Sequence, residues 1–411
     1  MKPWESQVEG AEKGLAVLKK HAIAYFAWEE RTGKSLASIL IAEKANVIKV
    51  LIITKKGKPY DGWVGLLDEF PHNKWYKVTT FHQLHKLDSS DWDLIIIDEA
   101  HNYISGFPKR SAIWHNCRKL TKGKPIIFLS ATPNAQTYCQ LFNQLALSNW
   151  SPFWKYSNFK DWHAVYGVYK TQYLYKQKVE IFTEAKDDLI EAQTKHLFIT
   201  LSRKELDFPH EPEDVIHWIE LDASTRNLYN YVLKHKVYTH DDGKIIEYDT
   251  KTKLRFGLHM LEGGTLKRSF PILNSNNKPV MSSESYVLDI DEKVNYIKEH
   301  WGDTDKMAIM YHYQAEKIKL EEHFKHAEIL QGQTNAEGVD LMHIEHLIIY
   351  SQDWSTAKHT QRRARQANKA RQTPIKVHFL LVRDGISQEV YETVSVNKTN
   401  YVDIYFMRNR L

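Results

Sequence analysis

The ten residues from Trp92 to His101, WDLIIIDEAH, restrict this chain more than any other stretch. A leucine followed by three isoleucines reads as a strand buried on both faces, the pattern of a parallel sheet covered by helices. The Asp-Glu pair at its end falls where open α/β sheets place their ligands, outside the carboxyl ends of the strands. An acid there can hold Mg2+, and the acid beside it can activate a water. Asp98, Glu99 and His101 are therefore candidate site residues. Asp-Glu-Ala-His alone is short. It gains force from a phosphate-binding signature upstream and from Ser130-Ala131-Thr132 downstream, and the three together point to a nucleotide-driven motor.

The upstream partner is Thr32-Gly33-Lys34-Ser35, preceded by Arg31. It follows an apolar run from His21 to Trp28 that reads as a strand, and it opens a helical segment from Leu36 to Lys44. Strand, turn and helix form the context a phosphate loop needs. The glycine lets backbone N–H groups approach phosphates, and the helix N-terminus favours negative charge. Lys34 would reach the β- and γ-phosphates of ATP, and the Ser35 hydroxyl would take a Mg2+ position. The strict Gly-x4-Gly-Lys-Ser/Thr pattern is not met, because its first glycine falls on Trp28.

In order and spacing these motifs resemble a superfamily 2 DEAD/DEAH-box helicase of the Swi/Snf type, in the compact version carried by phages. The resemblance spans nearly the whole chain. Gln7 in PWESQVEG matches the glutamine that reads adenine, and EERTGKS matches the phosphate loop. Thr54-Lys55-Lys56 with Trp63 matches a DNA-facing motif, and LSATP (Leu129 to Pro133) the coupling motif. Ser202-Arg203-Lys204 with Phe208-Pro209 resembles the segment that closes the first lobe. TNAEGVDL (Thr334 to Leu341) resembles the motif that links DNA to ATP. Trp354, Gln361 and Arg365 keep the spacing of the arginine-finger motif, as does the run from Pro374 to Val377.

The resemblance implies an α/β fold of two RecA-like, doubly wound parallel-sheet lobes with helical insertions. Lobe 1 would span residues 1–206, with an aromatic-rich helical insertion at about 150–195. Lobe 2 would span 207–411, with a helical insertion at about 220–275 and the arginine-finger motif at 354–377. It also implies that Gln7, Arg31, Thr32, Gly33, Lys34, Ser35, Gly338 and Asp340 bind ATP, with Mg2+ on Ser35 and Asp98. Lys34, Asp98, Glu99, Gln361 and Arg365 would be catalytic. His101, Ser130, Ala131 and Thr132 would couple the nucleotide state to DNA, which Lys55, Lys56 and Thr334 would touch. For His101 a plain structural hydrogen bond is the alternative. The chain departs from the family at Asn368, where a second arginine is usual, so that Lys369 and Arg371 compete with Arg365 as the finger. Lys lacks the planar fork of Arg.

With 411 residues the chain can hold two or three cored domains. Two cysteines without metal spacing suggest a reducing compartment and no disulfide framework. With no signal-peptide pattern and no apolar run of membrane length, the expectation is a cytoplasmic, monomeric protein, in the host cytoplasm if phage-encoded. A net charge of +5 permits nucleic-acid binding without arguing for it.

Strand candidates in the first half are His21–Trp28, Lys49–Thr54, Leu94–Ile97 and Pro125–Ser130. In the second half they are Lys306–Tyr311, Ala327–Leu330, Leu347–Tyr350 and Lys376–Val382. Only one helix-like segment, Gln314–Phe324, separates Lys306–Tyr311 from TNAEGVDL, where the family fits a further strand and helix. Ten aromatics crowd residues 150–176, as a base-stacking element or as the core of a helical protrusion. The polar helical pattern from Glu220 to Gly264 is followed by an Asn/Ser/Pro-rich loop, Asn274–Ser285. Two acid-free basic stretches, Asn102–Lys124 and Arg362–Arg371, could follow DNA phosphates or be solvated faces. The paired histidines His82/His85 and His323/His326 lack partners for a zinc site.

The reading is an ATP- and Mg2+-dependent DNA helicase or translocase, working with duplex or forked DNA, with replication or recombination proteins as candidate partners. An RNA-directed DEAH-type helicase and a nucleotide-dependent DNA clamp with little turnover are the alternatives.

Overall fold

The computed structural model describes residues 2–134, 137–174, 177–181, 184–275, 277–302, 304–332 and 339–396. Up to Phe208 the chain forms one compact unit, and from Pro209 a second.

The first unit runs α1 (Glu5–His21), β1 (Ile23–Trp28), α2 (Lys34–Lys44), β2 (Lys49–Thr54), α3 (Lys58–Glu69), β3 (Trp75–Thr80), β4 (Leu94–Asp98), α4 (Ala112–Thr121) and β5 (Ile126–Leu129). It continues with α5 (Gln140–Leu145), α6 (Phe159–Tyr166), β6 (Lys170–Leu174), β7 (Gln177–Ile181), α7 (Asp187–Thr194) and β8 (Phe198–Leu201). Six strands form one sheet in the order β3-β2-β4-β5-β1-β8, parallel throughout. Successive residues of a strand point to opposite faces. Thus Ile95 and Ile97 enter one apolar core while Leu94 and Ile96 enter the other. That two-sided burial is why the central strands are unbroken apolar runs. The edge strand β3, with Trp75 53% exposed, lacks such a run and escapes sequence reading.

The segment expected to be a helical insertion is different. It contains two eight-residue helices, α6 and α7, and an antiparallel hairpin, β6–β7. Phe153, Phe159, Trp162 and Tyr166 share a core with Tyr25 and Phe128 of the sheet. These four aromatics pack into the core of lobe 1, while Trp150, Trp154 and Tyr169 are exposed.

The second unit runs β9 (Pro212–Ile219), α8 (Ala223–His235), β10 (Val237–Thr239), β11 (Ile245–Glu247), α9 (Lys251–Glu262), β12 (Thr265–Leu273), β13 (Pro279–Val287), α10 (Glu292–Trp301) and β14 (Met307–Tyr311). It ends with α11 (Gln314–His323), β15 (Glu328–Gln331), β16 (His346–Ile349), α12 (Thr356–Arg363), β17 (Ile375–Val382) and α13 (Ile386–Tyr391). Its sheet has the order β15-β14-β16-β17-β9, again parallel throughout. Each unit is thus a RecA-like lobe. One helix and one strand, α11 and β15, separate β14 from the segment Thr334–Leu341.

The expected helical insertion at 220–275 is half strand. It comprises α8, the hairpin β10–β11, α9 and the first strand of a long ribbon, β12–β13. The Asn274–Ser285 loop is mostly that ribbon's second strand, since β13 begins at Pro279. Buried polar groups fasten these additions to lobe 2. The Glu262 carboxylate at the end of α9 accepts the N–H groups of Ile386 (2.5 Å) and Ser387 (3.0 Å), which begin α13. Lys293 Nζ donates to the Tyr350 carbonyl at 2.8 Å, and the Tyr350 hydroxyl donates to the Gly263 carbonyl at 2.9 Å.

Candidate nucleotide-binding site

The chain leaves β1 at Trp28 and turns into α2 through Gly33, whose φ of 83° is left-handed. That backbone favours glycine, and a Cβ there would lie 2.0 Å from Gln7 Nε2 and displace the Gln7 amide from the loop. Gln7 is buried. Its amide nitrogen donates to the Gly33 carbonyl at 3.2 Å, and its oxygen accepts the Trp4 N–H at 2.8 Å. Gly10 and Gly14 let α1 lie directly on β1, since a Cβ at each would meet Trp28 at 2.2 Å and Phe26 at 2.5 Å. The helix therefore fixes Gln7 on the loop. Thr32 is buried and its hydroxyl donates to the Glu29 carbonyl at 2.7 Å. Lys34 is buried at the first position of α2, and Ser35 beside it is half-buried.

Asp98 ends β4. Its Oδ2 accepts the Thr54 hydroxyl and the Trp63 indole N–H, both at 2.9 Å. Trp63 was expected to face DNA. It is 3% exposed instead, because its N–H partners a buried carboxylate. The next residue, Glu99, has φ 47° and ψ 48°, and Arg31 has φ 67°. Left-handed backbone at non-glycine residues costs of order ~1–3 kcal/mol, and such strain gathers at functional sites.

His101 Nδ1 lies 2.7 Å from Ser130 Oγ and 3.3 Å from Glu99 Oε2. Burial holds the imidazole down at about 3, with the Lys34 and Lys55 cations acting the same way, so it is neutral near pH 7. Ser130 Oγ accepts the Thr132 N–H at 3.1 Å and also bonds Tyr25. The Tyr25 hydroxyl donates to Gln144 Oε1 at 2.5 Å, and Gln144 Nε2 donates to the Pro133 carbonyl at 2.7 Å. A polar chain thus runs from the DEAH histidine through the SAT serine to the loop beyond it. Tyr25 and Gln144 were missed because each sits in an apolar run with no local motif. Ala131 and Thr132 are half-buried.

Glu29 and Glu30 were missed too. Glu29 accepts the Arg203 backbone N–H at 2.8 Å and Glu30 takes the Arg203 guanidinium at 3.3 Å, which ties the end of lobe 1 to its phosphate loop. The doubled acid before Arg31 was the available signal. Lys55 is half-buried after β2 and Lys56 is exposed.

In the second lobe Gln361 and Arg365 are buried, and Arg365 accepts the Leu341 N–H on its carbonyl at 3.3 Å. Asp340 is exposed and accepts the Met342 N–H at 3.0 Å. Thr334 and Gly338 lie outside the described residues. Arg371 donates to the carbonyls of Met342 (3.0 Å), Ile344 (3.1 Å) and Thr373 (3.0 Å).

Both basic stretches are in part internal ties. Arg110 stacks on Trp114 with 4.0 Å to the ring centre and donates to Asn143, while Arg118 holds the Asn149 side chain at 2.7 Å. Arg362 is buried between the Gly332 carbonyl and Asp353, and Arg363 pairs with Asp214. Neither stretch is a solvated cationic face along its length.

The ends of β1, β4 and β5, adjacent in the sheet, therefore carry the phosphate loop, the acid pair and the serine motif. Mg2+ commonly takes one or two protein oxygens and completes its shell with phosphates and water. The Ser35 hydroxyl and the Asp98 carboxylate are donors of that kind.

A family model described as the SNF2-related domain matches residues 15–262. Among solved structures, the chain is similar to "Sulfolobus solfataricus SWI2/SNF2 ATPase core in complex with dsDNA". Identity is 14%, 96% of this chain and 91% of that one are covered, and the TM-score is 0.43. It is also similar to "Sulfolobus solfataricus SWI2/SNF2 ATPase core domain", with 12% identity, coverage of 98% and 92%, and a TM-score of 0.40. No curated protein matches the chain.

Proposed function

The chain belongs to the SNF2-related domain family, the Swi/Snf type of superfamily 2, and from that premise we propose that it is a DNA-dependent ATP hydrolase that translocates on duplex DNA. The observation that carries the reading is the meeting of Lys34, Asp98, Glu99, His101 and Ser130 at three adjacent strand ends.

Gln7 recognises the adenine edge, and the turn from Arg31 to Ser35 receives the phosphates with its N–H groups. Lys34 supplies the fixed cation near the transferred phosphate. Mg2+, held by Ser35 and Asp98, would neutralise phosphate charge when bound. Thr54 and Trp63 set the plane of the Asp98 carboxylate and so aim it. Glu99 takes the proton of the attacking water. His101 and Ser130 carry the nucleotide state toward the coupling motif. Arg371 is engaged with three carbonyls of its own lobe, and the spacing of Arg365 from Trp354 and Gln361 supports it as the cation that stabilises the transition state.

The test is ATP turnover with blunt duplex, forked and single-stranded DNA and with RNA. Stimulation by duplex is expected. Stimulation by RNA alone would transfer the protein to the RNA-directed class, and binding without turnover would make it a clamp.

A further inference from the structure

Tyr25 and Gln144 do more for the site than fill lobe 1. The Gln144 side chain is fully buried, and its neighbours fix which way round the amide sits. Its Nε2 faces two carbonyls, Pro133 at 2.7 Å and Gln140 at 3.0 Å. An amide nitrogen donates and an amide oxygen only accepts. Gln144 Oε1 is therefore a fixed acceptor, and it lies 2.5 Å from the Tyr25 hydroxyl.

That acceptor gives the rest of the chain a direction. Tyr25 has a single O–H, spent on Gln144, so toward Ser130 its oxygen can only accept. The Ser130 proton goes to Tyr25. The two lone pairs of Ser130 Oγ then accept the Thr132 N–H at 3.1 Å and His101 Nδ1 at 2.7 Å. Nδ1 must accordingly carry the single proton of the neutral ring. Glu99 Oε2, 3.3 Å from the same nitrogen, calls for a proton there as well. His101 Nε2, buried and with no hydrogen-bond partner among the described residues, is left bare.

We propose that Gln144 and Tyr25 are positioning residues for ATP hydrolysis: through Ser130 they hold His101 in its Nδ1–H form, and the ring N–H keeps the Glu99 carboxylate in place. In the opposite tautomer a lone pair would face Glu99 Oε2 and push the carboxylate from its position. Both residues act through His101. The inference rests on the reading above, in which Glu99 takes the proton of the attacking water, and the experiment separates the two.

Nitrogen NMR spectra of the histidine rings in the full chain report which nitrogen carries the proton, and the His101 signals are identified by their loss in His101→Gln. ATP turnover is measured beside them. The wild type is expected to show Nδ1–H. Gln144→Met is similar in length and removes the acceptor, which frees the Tyr25 proton for Ser130 and the Ser130 proton for His101. The chain then reverses. His101 should become Nε2–H, and turnover should fall by about tenfold or more, as when a catalytic histidine is held in the wrong tautomer. Gln144→Glu still accepts from Tyr25 and should keep the Nδ1–H form with most of the turnover. Tyr25→Phe deletes one hydroxyl, frees the Ser130 proton for His101, and should shift the tautomer as Gln144→Met does. A wild type in the Nε2–H form overturns the inference, as does an Nδ1–H form kept in both Gln144→Met and Tyr25→Phe. A shifted tautomer with unchanged turnover overturns it too, and so does Gln144→Glu behaving like Gln144→Met. A wild type that is Nδ1–H but hydrolyses no ATP removes the parent reading, and the positioning role with it.

Discussion

Asp98 receives hydrogen bonds from two residues that no motif assigns to it. Because Trp63 and Thr54 both address the same oxygen, the carboxylate is held in one orientation, and on the proposed reading that orientation would serve Mg2+ without rearrangement. Trp63→Phe should keep the packing and lose one donor. Partners behind a metal ligand are worth about 10- to 100-fold in metal affinity, so the Mg2+ concentration for half-maximal turnover should rise by about tenfold. An unchanged Mg2+ dependence would show the indole to be packing only. Glu99→Gln should leave ATP binding intact and lower turnover by about 10²-fold or more, since an amide takes up no proton. Normal turnover in that variant would exclude Glu99 as the base. The placement of Lys34, Asp98, Glu99 and His101 at strand ends was legible because each motif is contiguous. Tyr25 and Gln144 were not, because their bond joins positions 119 apart in apolar runs.

Elements divided in the same way. Strands buried on both faces announce themselves as apolar runs, and β2 was readable to its ends. β3, β9 and the hairpins alternate or carry little apolar content, so the same reading turned the ribbon into a loop. The arginine motif shows how far spacing alone can go. It identified Arg365 and Arg371 as rivals but not that Arg371 holds the carbonyls before β16. Arg371→Ala should therefore destabilise lobe 2 by about 3 kcal/mol, through buried carbonyls left without a charged donor. Arg365→Ala should retain ATP binding and reduce turnover by about 10³-fold or more. Thermal melts beside ATPase assays rank the two, and the reverse ranking would move the finger to Arg371.

Taken together, the buried histidines give the chain an acid limit. His101 and His359 are held at about 3 and His312 at about 4 by burial, against 6.5 for a solvated imidazole. Below about pH 6.5 the unfolded chain therefore takes up protons that the folded chain refuses. Stability is complete above that pH and declines as pH falls toward the folded values, by up to about 1.4 kcal/mol per unit for each such histidine. Urea midpoints should be lower at pH 5 than at pH 7.5, and equal midpoints would mean that these rings are already accessible to protons. The neutrality of His101 reaches further. A contact between an uncharged imidazole and a hydroxyl has no ionic atmosphere to lose, whereas a lysine on a phosphate does. Raising ionic strength should therefore weaken the grip on DNA steeply and leave turnover at saturating DNA almost untouched, so that salt slows this motor by letting it fall off its track and not by stalling its stroke.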